Sequence, residues 1–371
     1  MSPVENRIIH VSALLFNHIV LEHGVLEPMA HLVSVCLPVW NGAKFIESAI
    51  SSVLIQTHND IELIVIDDCS SDDTAAIVRR LAAKDKRIRF YQNEFRLGLF
   101  ENYNKCMSLA KGKYIKPFAQ DDILDSRIIE KLVKLIQSDS NTALACAARE
   151  WIDSDGVLLK DKYLMIPSVS DIFPDGQKVS RAKVLQCSVF PITNLIGEPA
   201  AVLFPRALGG SGFDTRYKHL GDLEYWLRLL ESGSLVCTSE KLCSIREHSK
   251  RQSVENMQSL AIATDYVQFA KAISSSVSAI GYSAESFFRS AIIELSQHLD
   301  HTIKDEKQIS VFKNFAQENP LYELAFHSLL LIANSKQEIV HPGMDRRVEL
   351  NERHIARMER YLQQLLIAPG W

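Results

Sequence analysis

The chain has 371 residues, of which 47% are hydrophobic and 23% charged, as in globular proteins with one large domain or two. The formal net charge of -4 gives no basic excess, so binding to nucleic acid is disfavoured as a bulk property. Seven cysteines without a Cys-x-x-Cys pair argue against a disulfide framework and a structural zinc site. No uninterrupted apolar run approaches the roughly 20 residues of a membrane-spanning helix. We therefore predict a cytoplasmic protein and leave open a peripheral contact with the inner face of the membrane.

The first regular pattern begins at residue 32, so residues 1–31 are predicted to be an N-terminal extension. A continuous apolar run over residues 32–38 predicts a buried strand, Asn41-Gly42 marks a turn, and apolar residues recur at helical spacing over residues 45–54. The same sequence of strand and helix then repeats, with strands at 61–66 and 88–92 and helices around 77–81 and 102–110. Strands that alternate with helices predict a parallel sheet.

A fourth strand leads from Lys113 to two adjacent carboxylates, Asp121 and Asp122. Adjacent carboxylates repel each other unless a cation, a sugar hydroxyl or an arginine lies beside them. The alternative is an acidic first turn of the helix that follows. Pro117 removes one donor from this strand, which predicts an edge position or a local distortion.

Loops that follow parallel strands meet at one edge of the sheet, so residues 38–41, 67–71 and 120–122 are expected to lie together. Acids end two of these loops, which suits hydroxyls and a metal better than bare phosphate. Neither a Gly-x-Gly-x-x-Gly nor a P-loop pattern is present, so the Rossmann dinucleotide and P-loop interpretations fail.

The rest of the chain is less regular. The pattern predicts a helix at 126–137, a strand at 143–148, a hairpin turn at 153–156, a mobile loop at 160–180, a strand at 200–204, a flexible turn at 209–212 and a helix that opens at Gly221-Asp222. From about residue 253 the spacing is mostly helical, as at Val267, Ala270 and Ile273, and favours packing. We expect a helical appendage for an acceptor, a membrane surface or self-association. The predicted units are therefore 1–31, 32–252 and 253–371.

Five blocks follow one another in the chain: residues 33–42, residues 62–74, Arg96-Leu97-Gly98 through Asn104, Gln120-Asp121-Asp122, and residues 221–229. In this order they resemble glycosyltransferase family 2, the inverting nucleotide-sugar enzymes of the GT-A fold. The resemblance covers residues 33 to about 253. It implies an α/β fold with a doubly wound, mostly parallel sheet, followed by a helical C-terminal region.

The resemblance also implies roles for the residues at the sheet edge. In such enzymes the position of Asp68 holds the nucleobase through a ring N–H, and a carboxylate acceptor suits uracil or thymine, so a UDP-sugar is favoured. The other implied donor-binding residues are Pro38, Val39, Trp40, Asn41, Arg96, Gly98, Asn104, Gln120 and Asp121. Asp121 would lie near the ribose or the donor sugar, and Gly98 most simply meets a backbone need.

Asp122 and His248 are the metal ligands that the resemblance implies, for Mn²⁺ or Mg²⁺ bridging the diphosphate. His248 belongs to an Arg-x-His segment with Arg246, and a lone histidine is more often structural. The motif here is Gln-Asp-Asp where many relatives have Asp-x-Asp, which leaves open which carboxylate contacts the metal. Gly221 stands where an acid is common.

Asp222 lies where the family keeps its general base, which takes a proton from the acceptor hydroxyl as that oxygen attacks the anomeric carbon. The alternative for Asp222 is a helix cap or a first-turn acid. The implied function is sugar transfer from a nucleotide donor to a glycan or lipid-linked acceptor in cell-surface polysaccharide synthesis. Donor and acceptor specificity is expected in residues 160–193, with the helical tail as a further candidate region.

Three other functions compete with sugar transfer. A sugar-nucleotide pyrophosphorylase is disfavoured because its Gly-rich nucleotide loop is absent, and a processive membrane synthase because spanning helices and Gln-x-x-Arg-Trp are absent. The remaining alternative is a non-catalytic nucleotide-sugar-binding or scaffold protein on the same fold. The joint presence of Asp68, Asp122 and Asp222 argues against it.

Overall fold

The computed structural model describes residues 31–160, 168–189, 192–249, 251, 256 and 261–281. The strands within these residues are β1 (Val33–Val39), β2 (Ile61–Asp67), β3 (Ile88–Gln92), β4 (Tyr114–Pro117), β5 (Ile123–Leu124), β6 (Thr142–Ile152), β7 (Lys178–Val179), β8 (Val202–Pro205) and β9 (Ser234–Arg246). The α-helices are α1 (Ile46–Leu54), α2 (Thr74–Ala82), α3 (Leu99–Ser108), α4 (Ile128–Gln137), α5 (Arg181–Ser188), α6 (Gly221–Leu229) and α7 (Ala261–Ala279).

The N-terminal half of the sheet has the order β3-β2-β1-β4, and all its pairs are parallel. Every residue of β1 and β2 is buried, as their continuous apolar runs predict for strands covered on both faces. Val39 pairs with Asp67, and Asp67 with Gln92, so these strands end at the same level. The predicted gathering of loops at one sheet edge is therefore confirmed.

β4 lies inside the sheet rather than at its edge, because β1 flanks it on one side and β8 on the other. The edge position predicted from Pro117 is wrong. The antiparallel pairing with β8 covers Tyr114 and Ile115 only, so β8 has left the ladder before Pro117. A proline without an N–H is tolerated there because it ends the strand.

The second half of the sheet continues as β8-β6-β9-β5, with β7 paired to β9, and mixes parallel and antiparallel pairs. The predicted turn at 153–156 forms a tight hairpin in which Asp153 N donates to Val157 O at 2.9 Å. Residues 168–180 contain a 3₁₀ turn at Val169–Asp171 and the strand β7. The central part of the predicted mobile loop, residues 161–167, lies outside the described residues.

Helix α7 packs onto the same hydrophobic core as the sheet. Ala270 and Ile273 are buried there, which confirms the packing expected from their spacing, together with Tyr266, Phe269 and Val277. The side chain of Val267 lies outside the described residues, as do residues 1–30 and 282–371. The unit boundaries at 31 and 252 stay predictions. In the part of the chain that the structure describes, no helix is long and apolar enough to cross a membrane.

Candidate active site

Gln120 joins the loops that follow β1 and β4. Its Oε1 accepts from Trp40 N at 2.8 Å, and its Nε2 donates to Trp40 O at 3.0 Å. Both polar groups of the Gln120 amide therefore form hydrogen bonds with the backbone of Trp40, in the way that paired strands bond to each other. The structure places Gln120 as a residue that positions Trp40, and its predicted contact with the donor stays a prediction.

Gly42→Ala tests this connection between the two loops. A Cβ on Gly42 would lie 2.4 Å from Gln120 Oε1, so the amide would have to move and release Trp40. We expect a loss of about 1–3 kcal/mol in the free energy of unfolding, measured by denaturant titration. In a Gln120→Ala background the same glycine substitution should cost much less, because the clash is gone. An equal cost in both backgrounds would contradict the assignment.

Asn41 connects the β1 loop to the β2 loop. Its φ of 48° lies in the left-handed region, which asparagine tolerates better than most residues. Asn41 N donates to Ser70 Oγ at 2.9 Å, and Asn41 Oδ1 accepts from Ser71 N at 2.8 Å. Gly42 N donates to Thr74 Oγ1 at 2.8 Å. The predicted donor-binding loop is thus fixed from two sides before any ligand binds.

Asp68 is buried and holds the loop that follows β3. Its carboxylate accepts from Asn93 Nδ2 at 2.7 Å and from the backbone N–H groups of Leu97 and Gly98 at 2.8 Å each. Gly98 has a φ of 91° and precedes α3, so the backbone need expected for it is present. The same loop places the guanidinium of Arg96 3.5 Å from the ring centroid of Trp40. Asp68, Gly98, Arg96 and Trp40 therefore lie together.

Pro38 and Val39 are buried at the end of β1, and Val39 O accepts from Asp68 N at 2.8 Å. Their predicted contact with a nucleoside would therefore use the strand end rather than exposed side chains.

The structure does not bring the side chain of Asn104 to these loops. Asn104 Nδ2 donates to Phe213 O at 2.8 Å, and Asn104 Oδ1 accepts from Phe213 N at 2.7 Å. Asn93 takes the place nearest Asp68 instead, and sequence reasoning missed it. Lys105 Nζ donates to Asn93 Oδ1 at 2.8 Å, and buried Asn102 contacts Asn93 and Ile66 O. The sequence did contain a signal for Asn93, because it is a polar residue that directly follows the strand β3.

The paired acids meet the end of β9. Asp122 is buried, and its Oδ1 accepts from Arg246 N at 2.9 Å, while Arg246 Nε donates to Asp121 O at 2.8 Å. His248 Nε2 lies 2.9 Å from Asp121 Oδ2, and its ring packs against Phe45 with centroids 4.9 Å apart. Burial, and then the charge of Asp121, raise the pKa of Asp122 to about 8. The ionised form of Asp122 is therefore disfavoured in this buried position beside Asp121.

The donor atoms at this place fit a hard divalent cation that shares its ligands with a substrate. Within the described ranges no three histidine, cysteine or acidic side chains form a ready metal group. Mg²⁺ and similar ions commonly use one or two carboxylates and take the other ligands from phosphates and water. The carboxylates of Asp121 and Asp122 and the imidazole of His248 are ligand types that such an ion can take, and the predicted metal-binding roles of Asp122 and His248 stay predictions.

Asp222 is the second residue of α6, whose N-cap residue is Leu220. Its Oδ2 accepts from Asn194 Nδ2 at 3.0 Å, and its Oδ1 accepts from Leu223 N at 2.7 Å. Burial, and then the charge of Glu198, raise the pKa of Asp222 to about 7. Nearby Glu224 is paired with Arg228 through two contacts of 2.8 and 2.9 Å. Asp222 is therefore the carboxylate of α6 whose surroundings suit proton transfer.

Three residues that sequence reasoning missed support Asp222. Arg149 is 1% exposed, lies 2.8 Å from Glu198 Oε2, and donates to Asn194 O at 3.1 Å. Asn194 Nδ2 in turn donates to Gly197 O, and Gly197 N donates to Asn194 Oδ1, each at 3.0 Å. Gly197 has a φ of 114°, and the Gly-Glu-Pro at 197–199 was the signal in the sequence. The charge of Glu198 contributes to the raised pKa of both Asp122 and Asp222.

The sequence profile of Glycosyl transferase family 2 matches residues 34–190, which include β1 to β4 and the paired acids. The chain belongs to glycosyl transferase family 2. The match spans four of the five sequence blocks, confirms the resemblance to this family, and identifies the protein as a glycosyltransferase. The fifth block, residues 221–229, lies outside the matched residues.

Relatives of this glycosyltransferase occur in several bacteria. An uncharacterized protein of Mycobacterium tuberculosis is 34% identical over 227 residues, which are 60% of this chain and 69% of that protein. An uncharacterized glycosyltransferase of Rickettsia typhi is 30% identical over 220 residues, 58% of this chain and 64% of its own length. A chondroitin synthase of Pasteurella multocida is 26% identical over 228 residues, 61% of this chain but 22% of the synthase. The chain therefore spans only part of each relative.

Two solved structures share the fold of this glycosyltransferase. S. aureus TarS 1-349 in complex with UDP-GlcNAc superposes with a TM-score of 0.58 at 14% identity, covering 90% of this chain and 91% of TarS. The mannosyltransferase PcManGT from Pyrobaculum calidifontis, in complex with GDP-Man and Mn²⁺, gives a TM-score of 0.50 at 13% identity, with 90% and 96% covered. The predicted α/β fold with a mostly parallel sheet is confirmed. The predicted helical region is described only at α7, and its remainder lies outside the described residues.

Proposed function

We propose that this glycosyltransferase binds a nucleotide-sugar, preferably a UDP-sugar, together with Mn²⁺ or Mg²⁺, and transfers the sugar with inversion to a glycan or lipid-linked acceptor. Cell-surface polysaccharide synthesis is the proposed setting, supported by the similarity to a chondroitin synthase. The observation that carries the proposal is that the paired acids meet the end of β9, where His248 contacts Asp121 and Arg246 N donates to Asp122.

The nucleoside is proposed to bind where the loops after β1, β2 and β3 meet. A carboxylate offers about four acceptor positions, and protein N–H groups occupy three at Asp68. One position remains for the ring N–H of uracil, which supports a UDP-sugar. The stacked Trp40 and Arg96 provide a flat surface beside it.

The diphosphate is proposed to lie against Asp121, Asp122 and His248, which would hold the cation. When bound, the cation neutralises charge on the departing nucleoside diphosphate. The residues themselves provide a fixed frame, since Arg246 ties both acids to β9 through its backbone N–H and its guanidinium.

Asp222 is proposed to accept the proton of the acceptor hydroxyl as that oxygen attacks the anomeric carbon. A pKa of about 7 suits this work, because a base acts best when its pKa lies near the working pH. Asn194 fixes the orientation of the carboxylate by donating to Oδ2, and Arg149 fixes Asn194.

A panel of donors tests the proposed function. The purified protein is incubated with Mn²⁺ and UDP-, GDP- or dTDP-sugars, with and without EDTA, and release of nucleoside diphosphate is followed. We expect metal-dependent release from one or a few UDP-sugars. Tight binding of a nucleotide-sugar without release, with every glycan and lipid-linked acceptor tried, would favour the non-catalytic alternative.

Glu198→Gln is expected to move the acid limb of the pH–rate profile to lower pH. Asp222 works as a base only when deprotonated, so the rate rises with pH through its pKa of about 7. Loss of the Glu198 charge lowers that pKa, and the amide keeps the shape of the side chain beside Arg149. The measurement is kcat against pH with saturating Mn²⁺ and donor. The control is Glu231→Gln, which removes an exposed acid paired with Arg181. If the acid limb of the pH–rate profile stays in place in Glu198→Gln, Glu198 does not set the pKa of the catalytic base.

A further inference from the structure

Asp265 is a fully buried carboxylate of α7 that no sequence motif connects with the chemistry. Its Oδ2 accepts from Lys218 N at 2.8 Å and from Leu220 N at 2.9 Å, and also from the intervening N–H of His219. Three successive backbone donors therefore point at one oxygen. Asn256 adds a second contact to the same segment, from Nδ2 to Lys218 O at 2.5 Å.

The bonded segment leads directly into α6. Leu220 is the N-cap residue of that helix and provides no side-chain cap, and Asp222 follows two residues later. Three backbone donors on one carboxylate oxygen fix the position of the segment that carries them. Asp265 thus holds from another helix the three backbone N–H groups that lead into α6, and its bonds fix where the first turn of α6 begins.

We propose that Asp265 is a positioning residue for Asp222: it holds residues 218–220 so that the first turn of α6 presents the carboxylate to the acceptor hydroxyl. The inference rests on the proposed function, in which Asp222 is the base. It brings the chain beyond residue 252 into the chemistry, whereas the sequence pattern indicated an appendage for binding or association.

Asp265→Ala is expected to lower kcat by about a hundredfold, because a displacement of about 1 Å at a reacting group can cost that much. KM for the donor should stay within about twofold, since residues 218–220 lie outside the donor loops. Asp265→Asn keeps one acceptor oxygen without the charge and should give an intermediate kcat. The readout is Mn²⁺-dependent release of nucleoside diphosphate from the donor that reacts fastest in the panel, per folded protein as determined by circular dichroism.

Ser276→Ala is the matched control on α7. Ser276 Oγ accepts from Arg181 Nη1 at 3.0 Å, so its loss loosens the packing of the helix without releasing residues 218–220. A purely structural role of Asp265 predicts that both variants lower the melting temperature and leave kcat per folded molecule unchanged. If Asp265→Ala does not fold, Asp265→Asn carries the same comparison.

The decisive measurement is a double-mutant cycle with Asp222→Asn. If Asp265 acts through Asp222, Asp265→Asn will not lower the residual rate of Asp222→Asn further. Equal losses in both backgrounds, or a wild-type kcat in the single Asp265 variants, would overturn the inference. A wild-type rate in Asp222→Asn would instead remove the proposed base itself, so the two failures are distinguishable.

Discussion

Asp222→Asn is expected to bind the donor with Mn²⁺ like the wild-type protein and to lose about 10²–10⁴ in the rate of transfer, the usual contribution of a positioned general base. Asparagine keeps the shape of the side chain and an oxygen that can accept from Asn194 or Leu223. It cannot take a proton from the acceptor. The substitution therefore separates two roles of Asp222, a catalytic base and a residue that only stabilises the first turn of α6. In the second role asparagine would change the stability little and leave the rate unchanged.

Donor affinity is measured by calorimetry and turnover by nucleoside diphosphate release. Glu224→Gln is the matched control, because Glu224 lies on the same first turns of α6 but is paired with Arg228. We expect that control to keep its rate. Near-wild-type turnover in Asp222→Asn would show that Asp222 serves the helix, and Glu224 would become the next candidate.

Asp122→Asn is expected to abolish the metal-dependent part of donor binding while it stabilises the ligand-free protein. A lost contact to the cation of about 3 kcal/mol corresponds to about a hundredfold in Kd. The wild-type protein in EDTA should show a similar loss. The effect on stability has the opposite sign because the charge of Asp122 is buried against Asp121.

The sign of the stability effect depends on pH. The pKa of Asp122 is raised to about 8 in the folded protein, from about 4 in an unfolded chain, so folding takes up a proton between these values. The stability of the wild-type protein in EDTA should therefore fall as pH rises from about 4 to 8. Asp122→Asn has no such loss, so the difference in melting temperature between the variant and the wild-type protein should grow over that range.

Asp125→Asn is the control, since Asp125 lies three residues on and contacts Arg127 at the surface. It should leave donor binding unchanged. Tight binding of a UDP-sugar to Asp122→Asn in EDTA, equal to wild type with Mn²⁺, would refute the metal assignment.

The parallel half of the fold could be predicted because its signals are local. Continuous apolar runs mark β1 and β2, and parallel pairing brings their ends to one level, so Trp40, Asp68 and Asp121 were expected at one edge. The edge position drawn from Pro117 failed because the sequence does not show that β8 pairs with only the first two residues of β4. Whether a strand lies at the edge of a sheet depends on strands that are far away in the sequence.

The supports of the proposed base could not be predicted for the same reason. Arg149 reads as one polar residue in the strand β6, and Glu198 as a surface acid, until β6, β8 and β9 bring them together. Asn104 and Asn93 were both available as polar residues near the donor loops, and only the packing of α3 shows which one contacts Asp68. Helical spacing identified the buried face of α7, but it contains no information about Asp265 and its three backbone partners.

The bond from Arg246 N to Asp122 joins residues 124 positions apart, which has a consequence for the order of folding. Contacts of long sequence separation form late, since the chain entropy of closing the loop must be lost first. During synthesis the four parallel strands can pair before β9 has left the ribosome, so the half of the sheet proposed to bind the nucleotide can exist while the paired acids still face water. Burial of Asp122 then becomes a closing step of folding, and a chain arrested before β9 would have the loops proposed for the nucleotide without the contacts of Arg246 that hold the paired acids.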